Sequence, residues 1–193
     1  ILSVSPANGG YPGISDLGLT RFMLRKNLYF PFDRDKWSIN VDGASKLIEK
    51  EKPSLIVFGA SLILFPQPVR QLAKVASAVN AKVAFDGAHV LGLIGGGRFQ
   101  DPLREGAEVL IGSTHKSLFG PQGGMILSNA TSGKIVKESI HPGLVDNAHY
   151  NRIAALCMAL LELKSFGKAY ADQVVRNAQT VGKALDEREV PVK

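Results

Sequence analysis

Between Glu108 and Leu127 the chain reads EVLIGSTHKSLFGPQGGMIL, and this stretch constrains the fold most. Val109-Leu110-Ile111 is a short apolar run that reads as a buried strand. It stops in a polar cluster, Ser113-Thr114-His115-Lys116. Gly120-Pro121 and Gly123-Gly124 follow, then a second apolar run, Met125-Ile126-Leu127. A strand that ends in hydroxyls, a histidine and a lysine, then turns on glycines, holds the lysine at a fixed place. Lysine becomes a nucleophile only when its amine loses its proton, and burial and nearby cations favour that loss. The alternative for Lys116 is a solvated lysine on a loop.

A second stretch, Lys82 to Phe99, reads KVAFDGAHVLGLIGGGRF. Val83-Ala84-Phe85 is again a short apolar strand, and it ends in Asp86. In open α/β sheets, ligands sit outside the carboxyl ends of the strands. Two such ends, one carrying Asp86 and one Lys116, suggest pyridoxal 5'-phosphate. The lysine would form the Schiff base, and the aspartate would keep a proton on the pyridine nitrogen so that the ring can accept electrons. An N-cap on the following turn is the other reading of Asp86.

These residues carry a resemblance. D-G-A-H, a glycine-rich bend, then S-T-H-K-S-L-x-G-P-x-G-G is similar to serine hydroxymethyltransferase, a fold-type I pyridoxal-phosphate enzyme. The similarity runs from about Gly9 to about Leu185 and is densest between Asp86 and Gly124. It implies an α/β fold, a three-layer sandwich with a mainly parallel sheet, as in the large domain of the pyridoxal-phosphate transferases. Strands alternating with helices along the chain argue for the same class.

The chain has 193 residues, enough for one domain with a core. Its net charge is +6, from 23 basic against 17 acidic residues, and the basic ones are spread along the chain without interleaved aromatics. That describes a solvated, mildly basic surface rather than a nucleic-acid site. The single cysteine, Cys157, excludes an internal disulfide, fits a reducing compartment, and reads as a small core residue in an apolar helix. No apolar stretch reaches the roughly 18 residues of a membrane span, and a cytoplasmic location is expected. The resembled enzymes are about twice this long. The expectation is therefore that residues 1–193 are the cofactor-binding large domain, without an N-terminal segment and a C-terminal small domain.

In order, residues 1–5 read as a strand and Pro6 to Gly18 as a glycine- and proline-rich loop. The resemblance gives this loop the ring that stacks on the cofactor. Tyr11 stands where the family has histidine, and it either stacks or packs the loop down. Leu28–Phe32 reads as a strand, Val41–Glu51 as a helix capped by Asp42, and Ser54–Gly59 as a buried strand. Ser61 lies near the cofactor in the resemblance, or simply caps a turn. Pro66–Ala81 reads as a helix. His89, three residues past Asp86, contacts the cofactor, supports Asp86, or is structural. Gly95-Gly96-Gly97 lacks the setting of a phosphate loop and reads as a flexible bend. Thr131–Ile140 reads as a helix. Ala148–Phe166 reads as an apolar helix, buried or packed on a partner, and Asp172–Glu189 as a separate helix whose Val174, Val175, Ala178, Val181 and Leu185 face inward.

The resemblance assigns catalysis to Lys116, Asp86 and His115. It assigns cofactor contacts to Lys116, Asp86, His89, Ser61, Tyr11, Ser113 and His115, with Thr114 beside them and no metal. Serine would pass its hydroxymethyl group to tetrahydrofolate, leaving glycine, in a homodimer with a shared site. The family's main phosphate loop and a catalytic glutamate come before this region, and its carboxylate-binding arginine comes after. Gln122 and Asp146-Asn147 depart from the family pattern. A folate-independent aldolase acting on β-hydroxy amino acids and a non-catalytic dimerisation domain are the other readings.

Overall fold

The computed structural model describes residues 1–23 and 26–192. The strands are β1 (Leu2–Ser3), β2 (Leu28–Tyr29), β3 (Phe32–Asp33), β4 (Ser38–Ile39), β5 (Leu55–Gly59), β6 (Lys82–Asp86), β7 (Val109–His115) and β8 (Phe119–Ser128). The helices are α1 (Leu19–Phe22), α2 (Val41–Glu51), α3 (Val69–Ala78), α4 (Leu91–Gly95), α5 (Pro102–Glu105), α6 (Ala130–Ile140) and α7 (Tyr150–Asp186). Six strands form one sheet in the order β2-β1-β5-β6-β7-β8. All its pairs are parallel except β7 with β8, and β3 and β4 form a separate antiparallel ribbon. Helices α2, α3 and α5 pack together, while α4 packs with α7, completing an α/β three-layer sandwich.

The central strands read as unbroken apolar runs because parallel strands are covered on both faces. Ile56, Phe58, Phe85 and Leu2 are fully buried and share a core with Ile48 of α2 and Leu72 of α3. Each such side chain contributes about 1.5–3 kcal/mol by leaving water. Phe58 also stacks on Phe30, with ring centroids 5.2 Å apart. Helix α2 has the expected bounds, but its cap is Asn40, whose Oδ1 accepts the Gly43 N–H at 2.8 Å. Asp42 lies in the first turn instead, where its charge suits the helix dipole.

The structure corrects the sequence reading at four other places. Strand β7 does not stop at Ile111; it runs through the polar cluster to His115, and β8 returns along it from Phe119. The pairing supplies hydrogen bonds that a polar strand needs, so polarity alone did not end it. The two C-terminal helices are one 37-residue helix, α7. Cys157 is exposed on it, as are Ala178, Val181 and Leu185, because only Ala159, Gly167 and Ala171 form its fully buried contact. Finally, Gly95-Gly96-Gly97 turns the chain at the end of α4, with Gly97 at φ +69°, but Gly95 and Gly96 also pack against α7. A Cβ on Gly96 would stand 2.4 Å from the Gly167 carbonyl oxygen and 2.5 Å from the Ala171 Cβ. Glycine at position 96 lets α4 and α7 approach more closely than a side chain there permits.

Candidate functional site

The carboxyl ends of β5, β6 and β7 lie side by side, with Gly59 paired to Asp86 and Asp86 to Ile111. Gly59 has φ of +91°, and a Cβ there would fall 2.0 Å from the Asp86 carbonyl oxygen. Only glycine allows β5 to end so tightly against β6, and this sets the positions of Ser61 and Asp86. The Gly87 N–H donates to the Ile111 carbonyl at 2.7 Å, which ties the turn after β6 to β7. The Leu62 N–H donates to the Gly9 carbonyl at 3.0 Å, so the loop carrying Tyr11 is fastened beside Ser61.

Over these strand ends lies a cavity of about 270 Å³. Tyr11, Ser61, Asp86, His89, Ser113 and Lys116 all line it, and Ala88, Ile111 and Gly112 complete its wall. Its size is near the lower end of the roughly 300–1,000 Å³ of small-molecule sites. Lys116 Nζ is 3.1 Å from His89 Nε2. The ammonium donates and the imidazole accepts, which needs a neutral His89 with its proton on Nδ1. Desolvation against the cavity wall lowers the His89 pKa, the Lys116 charge lowers it further, and the Asp86 charge opposes both. Asp86 Oδ1 accepts the Ala88 N–H at 3.0 Å. Asp86 therefore caps its own turn as well as lining the cavity, and the cap of α4 is Val90. Tyr11 is 53% exposed and its ring packs against Gly13, so it both holds its loop and borders the cavity.

His115 is outside the cavity lining. Gly123 N lies 3.2 Å from its Nδ1, across the hairpin of β7 and β8. Thr114 is buried and donates its hydroxyl to the Pro121 carbonyl at 2.6 Å, so its oxygen is directed away from the site. Alternation along β7 explains this: neighbouring side chains leave on opposite faces. Gln122 and Asp146-Asn147 are exposed and are not among the residues that line the cavity.

Sequence reading missed several supports. Gln67 Oε1 accepts the Gly59 N–H at 2.7 Å, and Gln100 accepts the Gln67 N–H at 2.6 Å. These amides fix both ends of the loop that carries Ser61. Ser117 Oγ accepts the Gly92 N–H at 3.1 Å, and the Tyr170 hydroxyl donates to the Ser117 carbonyl at 2.9 Å. Isolated glutamines and a helical tyrosine carry no spacing signal, since their partners are backbone groups distant in sequence.

The family model for serine hydroxymethyltransferase matches residues 19–192. The chain belongs to the serine hydroxymethyltransferase family. It is 46% identical over 188 residues to the serine hydroxymethyltransferase of Methanocaldococcus jannaschii, covering 97% of this chain and 44% of the relative. It is 44% identical over 187 residues to that of Methanocella arvoryzae, covering 97% and 44%. The chain thus spans less than half the length of these curated family members. It is also similar to the crystal structure of L-threonine transaldolase from Pseudomonas fluorescens in its internal aldimine state. That likeness has a TM-score of 0.87 and 28% identity, over 96% of this chain and 42% of the other. Among the described residues, no helix is long and apolar enough to cross a membrane, and no cluster of His, Cys, Asp or Glu could hold a metal ion.

Proposed function

We propose that the protein is a pyridoxal-phosphate-dependent serine hydroxymethyltransferase and that residues 1–193 form its cofactor-binding large domain. One observation carries this reading: Lys116 and Asp86, from neighbouring strand ends of a family member, line one cavity. The donor set suits the cofactor. Lys116 would hold it covalently, and Asp86 would keep its ring nitrogen protonated. Tyr11 would lie against the ring, while Ser61 and Ser113 would offer hydroxyls. When bound, the cofactor supplies a sink for the electrons of the bond broken at the amino acid's α-carbon.

The chain's own residues position the reacting groups. His89 Nε2 accepts a hydrogen bond from Lys116 Nζ at 3.1 Å and so orients the amine over the cavity. His115, held at the end of β7 by its contact with Gly123, would act from beside Lys116 rather than from the cavity wall. The net reaction moves the hydroxymethyl group of serine to tetrahydrofolate and leaves glycine. The exposed Ile153, Met158, Leu161 and Phe166 of α7 support a homodimer with a shared site. The same reading places the protein in the cytoplasm, with no nucleic-acid partner.

A second reading is a folate-independent enzyme acting on β-hydroxy amino acids. The likeness to the threonine transaldolase and the tyrosine at position 11 favour it. Activity of the complete protein separates the two. We expect serine-to-glycine conversion that requires tetrahydrofolate and falls by at least about 10³-fold in Lys116→Ala. Threonine cleavage faster than serine conversion, and indifferent to tetrahydrofolate, would favour the second reading. Conversion that survives Lys116→Ala would overturn both.

A further inference from the structure

We propose that Tyr170 and Ser117 are positioning residues for Lys116: together they clamp the backbone just after it against α4 and α7. The proposal rests on the reading of Lys116 as the cofactor lysine. His115 pairs with Phe119, so Lys116, Ser117 and Leu118 form the whole tip of the β7–β8 hairpin. A three-residue tip would ordinarily be free to rock. Here each residue after the lysine is anchored.

Leu118 is fully buried in the core. The Ser117 hydroxyl accepts the Gly92 N–H, an end group of α4 that has no partner within that short helix. The Ser117 carbonyl accepts the Tyr170 hydroxyl at 2.9 Å. A Cβ at Gly92 would stand 2.1 Å from that carbonyl oxygen, so α4 lies directly against the tip. The Tyr170 ring is itself held edge-on to Phe119, with centroids 4.8 Å apart. Tyr170 also lies between Gly167 and Ala171, the residues that bring α7 against Gly96. The close helix contact therefore delivers the phenol to the hairpin tip.

The clamp fixes the Lys116 backbone and leaves its side chain free to reach over the cavity. A lysine that must meet a carbonyl carbon in one orientation gains most from such a fixed root. The tie between α7 and the sheet would otherwise serve stability alone, and the two roles differ in what they change.

The test uses the complete protein, stripped of cofactor and mixed with pyridoxal 5'-phosphate, following the visible band of the lysine-bound cofactor. Tyr170→Phe keeps the ring against Phe119 and removes only the hydroxyl. We expect it to slow formation of the linkage about five- to tenfold, the effect of one lost hydrogen bond. Ser117→Ala, which removes the anchor to α4, is expected to slow it similarly. Ile48→Val, in the core beneath α2 and outside the clamp, is the control for stability, expected to lower the thermal midpoint while leaving the rate within about twofold. Wild-type rates in both Tyr170→Phe and Ser117→Ala, with only the midpoint lowered, would overturn the proposal. No band in the wild-type protein would overturn the cofactor reading and the proposal with it. A normal wild-type band with unaffected variants would overturn the proposal alone.

Discussion

His89 stands between two charges of opposite sign, and the positive one wins. Desolvation and the Lys116 ammonium both disfavour the imidazolium, so its pKa lies below the ordinary histidine value of about 6.5. The unfolded chain takes up this proton more readily than the folded one, so the contribution is present above the unfolded pKa. It is lost as pH falls through that value towards the folded one. In Lys116→Ala the cation is gone, and the His89 pKa should rise towards the ordinary value. A pH titration of the histidine NMR signals checks this; an unchanged or lower value would contradict the contact. At this scale the site was legible where a residue ends a buried strand, as with Asp86, or belongs to a dense motif, as with Lys116. It was less so for Thr114, which the alternation of β7 turns away from Ser113, and for His115, which follows a register irregularity between Ser113 and His115 that no motif shows.

Among the elements, α4 and α7 depend on a contact made by the absence of side chains. Gly96→Ala would place a methyl carbon 2.4 Å from the Gly167 carbonyl oxygen. The helices must then part, at about 1–3 kcal/mol, and the denaturant midpoint should fall accordingly. An unchanged midpoint would mean that the helices are not so closely packed. The buried strands β5 and β6 were readable because parallel strands carry continuous apolar runs. Helix α7 was read as two because Gly167 interrupts its apolar pattern, and glycine costs about 1 kcal/mol in a helix interior. The Gly167 carbonyl oxygen is the atom on which Gly96 packs, a contact that no local pattern shows. Likewise β8 begins within Phe119-Gly120-Pro121, where turn residues conceal a strand paired only at its β7 edge.

For the whole molecule, the parallel sheet supplies a row of strand ends, and loops from Tyr11, Ser61 and His89 close around them. The fold class was readable from the alternation of strands and helices. The exposed side of α7 was not, because an apolar helix looks the same whether its own chain or a partner covers it. The central claim is that this sheet exists to present Lys116 to pyridoxal phosphate beside Asp86. The most direct measurement loads the complete protein with the cofactor, reduces it with borohydride, and locates the modified residue by peptide mass mapping. The account predicts one modified lysine, Lys116, and no stable modification in Lys116→Ala. A modification at another lysine, or none in the wild-type protein, would contradict it.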